Sequence, residues 1–77
     1  MVTFELYGTA RCPRTSEMRD WLVWKRSEFV EYDVEADTAA RKRMREISGG
    51  QRTVPILVEN GKVVQVGWQG HGCMIDE

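Results

Sequence analysis

A cysteine followed directly by a proline, Cys12-Pro13, is the pair in this 77-residue chain best placed to do chemistry. Proline is favoured at the first position of a helix, where the N–H it lacks would go unpaired anyway, so Pro13 marks a helix start and puts Cys12 at the N-cap. A side chain there faces the unpaired N–H groups of the first turn and the positive end of the helix dipole, both of which favour thiolate over thiol. Arg11 and Arg14 add positive charge on either side, and the Thr15 hydroxyl is spaced to donate to the sulfur. These influences predict a nucleophilic Cys12 that is largely thiolate at neutral pH. The plainer reading is a small buried cap residue flanked by solvated arginines.

Thr53-Val54-Pro55 is the second element with chemical consequence. A proline at the start of a strand cannot donate to the ladder, and an X-Pro bond is where a cis peptide is cheap. A cis Val54-Pro55 bond leaves the Val54 N–H and C=O facing outward, able to hold an extended peptide strand. The alternative is an ordinary trans proline at a sheet edge.

Composition bounds what these residues serve. Eleven Lys and Arg against twelve Asp and Glu give a net charge of −1, which removes the bulk electrostatic case for nucleic acid. With 42% hydrophobic residues and three Trp the chain is globular, and its length is that of one domain spanning 1–77. No apolar run approaches the ~20 residues of a membrane span, and the start carries no leader pattern, so a cytoplasmic protein without membrane attachment is expected. Two cysteines, Cys12 and Cys73, are too few for a disulfide scaffold. With His71 the single histidine, they do not make a structural zinc site, and no metal ligands are expected.

The elements that must position Cys12 follow from periodicity. Thr3 to Tyr7 alternates like a short strand and stops at Gly8, and Met18, Trp21, Leu22 and Lys25 share one face of a helix running from Arg14 to about Lys25. Phe29–Val34 is a second strand, parallel to the first across the helical crossover. Asp37 caps a helix over Thr38–Ile47, which Ser48-Gly49-Gly50 ends. Val54–Glu59 and Lys62–Val66 form a hairpin about Asn60-Gly61. The order is β-α-β-α-β-β with a short C-terminal helix or tail, an α/β fold on a four-stranded mixed sheet. Arg41, Lys42, Arg43 and Arg45 read as a solvated basic face of the second helix. Trp21 and Trp24 read as core and partial surface cover. Tyr7 and Trp68 adjoin turns where an apolar rim around the thiol belongs, although Trp68 can equally close the core.

Tyr7 with Cys12-Pro13-x-Thr15, then Gly50-Gln51-Arg52-Thr53-Val54-Pro55, Asn60-Gly61-Lys62 and Gly67-Trp68, resembles a glutaredoxin of the thioredoxin superfamily. The resemblance runs over nearly the whole chain. It implies a thioredoxin fold, a nucleophilic Cys12, a cis Pro55 beside it, and thiol-disulfide exchange with glutathione or protein disulfides. Glutathione is the implied co-substrate, with no tightly bound cofactor, and a thioredoxin-reductase-like enzyme is an implied reductant. The substrate would meet Tyr7, Arg11, Arg14, Arg52, Thr53, Val54, Pro55, Gly67 and Trp68, with Arg52 able to meet a carboxylate. Gly67-Trp68 is similar to the Gly-Phe ending of small redoxins that serve ribonucleotide reductase, and the pattern suits the group in which selenocysteine can replace the first cysteine.

The chain departs from that pattern in three places. Thr15 stands where a dithiol glutaredoxin has its resolving cysteine, so no disulfide forms within the motif. Thr9 stands where many members carry a lysine, and Gly67-Trp68-Gln69-Gly70-His71-Gly72-Cys73 replaces a Gly-Gly-x-Asp-Asp turn. The expected activity is that of an oxidoreductase whose Cys12 mixed disulfide is resolved by glutathione or by Cys73. In the resembling fold the turn after the last strand lies beside the active-site loop, and the glycines around His71 would let the backbone swing Cys73 toward Cys12, with His71 as a candidate base. The alternative for Cys73 is a small hydrophobe in a short tail. A different class of function, an iron-sulfur cluster carrier using Cys12 and glutathione, has its usual glycine after the cysteine replaced by Pro13.

Overall fold

A computed structural model describes residues 3–75. Its elements are β1 (Phe4–Gly8), α1 (Pro13–Trp24), β2 (Phe29–Asp33), α2 (Thr38–Ser48), β3 (Thr53–Val54), β4 (Ile56–Glu59), β5 (Lys62–Val66) and β6 (Cys73–Met74). Four strands form one mixed sheet in the order β2-β1-β4-β5, with β1 and β2 parallel and the other neighbours antiparallel. The pair β3 and β6 forms a second, two-stranded sheet.

Strand alternation sends successive side chains to opposite faces of the main sheet, and each face takes one helix. Leu6 and Leu57 pack with Met18 and Leu22 of α1, with Phe4, Trp21, Phe29 and Trp68 around them. Tyr7, Ile56 and Val58 pack with Ala40 and Met44 of α2 in a cluster that also holds Cys12, Val34, Val54 and Ile75. Lys25 lays its ammonium over Trp21, 4.2 Å from the ring centre, so the charged end of that face covers the apolar part.

The helix ends are made as their sequences require. The Asp37 carboxylate accepts from the Ala40 N–H at 3.1 Å, and Gly49 takes the left-handed conformation, φ 72°, that closes α2. Pro13 is at the start of α1 and Cys12 is its N-cap. Asn60 and Gly61, with φ of 52° and 80°, make the two-residue turn between β4 and β5.

Two features differ from the sequence reading. The run from Val54 to Glu59 is broken at Pro55, which has no N–H to give a ladder: β3 belongs to the small sheet and β4 to the large one. The final segment is a strand, not a helix. Gln69 and Gly70 both have positive φ, 51° and 81°, and Trp68 and His71 exchange backbone hydrogen bonds of 2.6 and 2.9 Å across them. This is a tight turn that reverses the chain after β5 and lays β6 along β3. The last two positions of the expected tail, 76 and 77, lie outside the described residues.

Candidate redox site

The site is built where β1 ends, α1 begins, and β3 and β6 meet. The turn from β1 into α1 is pinned by Thr15, whose buried hydroxyl oxygen accepts the Thr9 N–H at 3.3 Å. Gly8 allows this packing, because a Cβ at that position would collide with the Thr15 side chain. Cys12, only 1% exposed, places its sulfur 3.9 Å from the Val54 carbonyl oxygen. The Val54-Pro55 bond is cis, as the sequence reading anticipates.

Cys12 and Cys73 are joined by a disulfide, with Cα atoms 6.0 Å apart, inside the span a disulfide bridges. Cys73 reaches Cys12 as part of a paired strand. Val54 is opposite Cys73 and Thr53 opposite Met74 in the antiparallel register, and the Ile75 N–H donates to the Arg52 carbonyl at 3.0 Å. The outward-facing backbone of Thr53-Val54 is therefore occupied by the chain's own strand β6. With a disulfide formed, neither sulfur carries a proton, so the approach of Cys12 to the Val54 carbonyl is a contact and not a hydrogen bond.

Several expected roles are redistributed. Thr15 does not donate to the Cys12 sulfur, since its hydroxyl is turned to the β1–α1 turn. Arg11 forms a two-point ion pair with Glu35, which holds the Glu35 carboxyl below the usual carboxylate range through the hydrogen bond from Arg11. Arg14 pairs with Glu17 at 2.7 Å. Both guanidiniums face carboxylates, so of the influences expected to favour a Cys12 thiolate the α1 N-terminus is the one that remains unshared. Pro13 is exposed beside it. Arg52 is exposed immediately before β3, where its carbonyl, not its guanidinium, holds β6.

Tyr7 is not a rim residue. It is fully buried in the α2-side cluster and stacks on Tyr32 at 5.1 Å, because the strand alternation that points Leu6 at α1 points Tyr7 the other way. Trp68 is not a rim residue either: its ring packs at 5.6 Å against Trp21, some ~13 Å along α1 from Cys12. Gly67 is buried, and its N–H donates to the Pro55 carbonyl at 2.7 Å, tying β5 to the cis-proline loop. Gly70 and His71 belong to the Trp68–His71 turn, to which the exposed His71 contributes its backbone, and Gly72 leads from it into β6. The residues missed in the sequence are Gly72 and Ile75. Their signal was there: Gln69-Gly70 is a turn pair after an alternating strand, and Ile75 is the one branched aliphatic beyond it.

Among the described residues, no side chain or backbone group is placed to form a well-formed hydrogen bond with the Tyr7 hydroxyl. Burial, and after it the negative charge of Glu5, pushes its pKa from the ordinary value near 10 up to about 12. The unfolded phenol loses its proton first, so the contribution to stability is intact below pH 10 and is lost as pH rises through 12, to the extent of roughly 2–3 kcal/mol. Tyr7→Phe removes both the titration and the unpaired hydroxyl. It is expected to raise stability at pH 7 by about 1 kcal/mol and to flatten its decline above pH 10. Urea melts of both proteins from pH 7 to 11.5 check this, and parallel stability curves would show the phenol is not responsible.

An α/β sandwich with two helices on opposite faces of a mixed sheet, a cysteine at the first helix N-cap and a cis proline beside it defines the thioredoxin-like class. Within it, the family model for glutaredoxin matches residues 4–64, and the chain belongs to the glutaredoxin family. It is 36% identical over 56 residues to the "Probable glutaredoxin slr1562" of Synechocystis sp., covering 73% of this chain and 51% of that protein. The chain thus spans about half the length of the curated relative it matches. The crystal structure of the thioredoxin-like protein BC3987 superposes with a TM-score of 0.77 at 30% identity, over 86% of this chain and 88% of that one. The glutaredoxin of Archaeoglobus fulgidus has the same fold, with a TM-score of 0.75 at 22% identity over 90% and 78% of the two chains. Cys73 lies beyond the residues the family model matches. Among the described residues, no helix is long and apolar enough to cross a membrane.

Proposed function

We propose that this chain is a thiol-disulfide oxidoreductase in which Cys12 is the nucleophile and Cys73 the resolving thiol. The observation that carries the reading is the placement of Cys12 at the α1 N-terminus, bonded to a cysteine held in strand register against Val54. In the reduced protein the Cys12 thiolate attacks one sulfur of a substrate disulfide. The substrate S–S bond breaks, one thiolate leaves and takes up a proton, and a Cys12 mixed disulfide remains. The Cys73 thiolate then attacks the Cys12 sulfur, the second substrate thiol departs, and the Cys12–Cys73 disulfide is left. Two electrons have passed to the substrate, and two glutathione molecules or one dithiol reductant return the protein to its starting state.

The N–H groups at the start of α1 serve each step by favouring the thiolate of Cys12 as attacking and as leaving group. Thr15 positions the turn that holds the sulfur, through Thr9. The cluster-carrier alternative requires Cys12 outside the disulfide, free to ligate iron beside glutathione.

The test is mass spectrometry after exposure to oxidised glutathione. Reduced Cys73→Ser is expected to carry one glutathione on Cys12, whereas the wild-type chain is expected to carry none and to yield the Cys12–Cys73 crosslink on digestion without reductant. A Cys73→Ser protein whose Cys12 stays unmodified would overturn the reading.

A further inference from the structure

The strand β6 does more than carry a thiol. It lies on the Thr53-Val54 backbone with its cysteine bonded to Cys12, which is the arrangement a substrate segment must reach when its own cysteine is joined to Cys12 in the mixed disulfide. The glutaredoxin resemblance already places substrate on Thr53-Val54. We propose that the groove filled by β6 selects extended protein segments with glycine just before the reacting cysteine and a branched aliphatic residue two positions after it. The pattern is that of the chain's own Gly72-Cys73-Met74-Ile75, and the inference rests on the oxidoreductase reading above.

Each position has its own physical cause. At the residue before the cysteine, a Cβ built on Gly72 falls 2.7 Å from Thr53 Cγ2 and 2.7 Å from the Val54 carbonyl oxygen. One of these neighbours is backbone held in the ladder and cannot give way, so a side chain there drives the strand off Val54. Gly72 has no left-handed φ, which makes the requirement one of space and not of backbone conformation. At the residue after the cysteine, Met74 is 67% exposed, so the groove reads nothing there. Two residues after the cysteine, Ile75 is 2% exposed and joins Val54, Cys12 and Met44 in one cluster, while its N–H is held by the Arg52 carbonyl. An aliphatic side chain at that position fills a site that a polar one would leave unsatisfied.

Entry of a substrate requires β6 to leave, and reduction of the Cys12–Cys73 bond removes its covalent tie. The incoming segment then pairs with Thr53-Val54 as β6 did, and Cys12 attacks its sulfur. When Cys73 completes the exchange and the substrate thiol has left, β6 again occupies the groove. The oxidised protein is thereby closed to further substrate until it is reduced.

Short peptides test this on the reduced, full-length Cys73→Ser variant, which keeps Cys12 and cannot close the internal bond. Each peptide carries its cysteine as a mixed disulfide with 5-thio-2-nitrobenzoate, so attack of Cys12 on the peptide sulfur releases the coloured thiolate. The four central sequences are Gly-Cys-Thr-Ile, Ala-Cys-Thr-Ile, Gly-Cys-Thr-Ser and Gly-Cys-Lys-Ile, and a small uncharged disulfide, hydroxyethyl disulfide, serves as reference. The alanine and serine peptides are expected to react at least about tenfold more slowly than the first, and the lysine peptide within about threefold of it, each tenfold step corresponding to the loss of one groove contact. Reaction with the reference disulfide but rates within threefold for all four peptides would overturn the selectivity and leave the oxidoreductase reading standing. No reaction of Cys12 even with the reference disulfide would overturn both.

Discussion

The oxidised protein is expected to melt some 15–30 °C above its reduced form. The Cys12–Cys73 bond closes a loop of 61 residues, and removing that much freedom from the unfolded chain is worth about 4 kcal/mol in the chain-entropy account. A domain of this length has a total stability of only about 4–12 kcal/mol, so the bond supplies a large share of it. In a chain this small each kcal/mol moves the melting temperature by about 4–8 °C, which sets the expected gap. The effect should also fall unevenly on the structure. Reduction frees β6, and with it the burial of Ile75 against Val54 and Met44, while the β2-β1-β4-β5 sheet keeps its own ladder and both helices. Calorimetry with and without reductant, repeated on Cys73→Ser, measures the gap. Cys73→Ser should melt at one temperature in both conditions, close to that of the reduced wild-type chain. A wild-type gap under about 5 °C would show that the unfolded chain is not restrained by this bond as the loop length requires.

What could be read in the sequence was what is local. The βαβ unit, the capped second helix and the Asn60-Gly61 hairpin depend on neighbours a few residues apart, and each is found within a residue or two of its expected place. Cys12 at the α1 N-cap is local in the same sense, since Pro13 fixes it there. The strand β6 is different. Two residues have no periodicity to betray a strand, and the partner of Cys73 is Val54, far away in the chain. The glycines of 67–72 look like freedom in a sequence, but Gly70 holds positive φ in a tight turn, Gly67 holds positive φ where a Cβ would meet the His71 carbonyl, and Gly72 is needed for lack of a side chain.

Side-chain direction was the other thing hidden. Tyr7 and Trp68 adjoin turns near the site in sequence, yet strand alternation buries Tyr7 against Tyr32, and the reversal after β5 carries Trp68 to Trp21. Arg11 and Arg14 flank the cysteine, but which carboxylate each meets depends on where the chain after β2 and the first turn of α1 come to lie. Glu35 and Glu17 take them. The electrostatics of Cys12 thus rest more on the backbone of α1 than on the charged residues beside it.

Replacing the two cysteines separately is expected to split the reaction in two. Cys12→Ser should lose exchange by at least ~1000-fold, because a hydroxyl at the α1 N-terminus stays protonated at neutral pH and is a poor nucleophile toward sulfur. Cys73→Ser should behave otherwise. Its first step, attack by Cys12 on a disulfide, uses nothing that Cys73 supplies. It should proceed within about threefold of the wild-type rate in a single turnover, a threefold difference being under 1 kcal/mol in the barrier. The mixed disulfide then has no neighbour to resolve it. In the wild-type chain Cys73 is tethered to the same chain and closes a bond with Cys12 at a 6.0 Å Cα separation, so its attack is intramolecular and its effective concentration exceeds that of a millimolar thiol in solution. Turnover of Cys73→Ser on a protein disulfide, with a dithiol as the only reductant, should therefore fall at least ~10-fold while the mixed disulfide accumulates. Stopped-flow single-turnover rates set beside steady-state rates separate the two steps. Equal steady-state rates for Cys73→Ser and the wild-type chain, with no accumulated mixed disulfide, would show that an external thiol resolves Cys12 and that β6 carries Cys73 for stability alone.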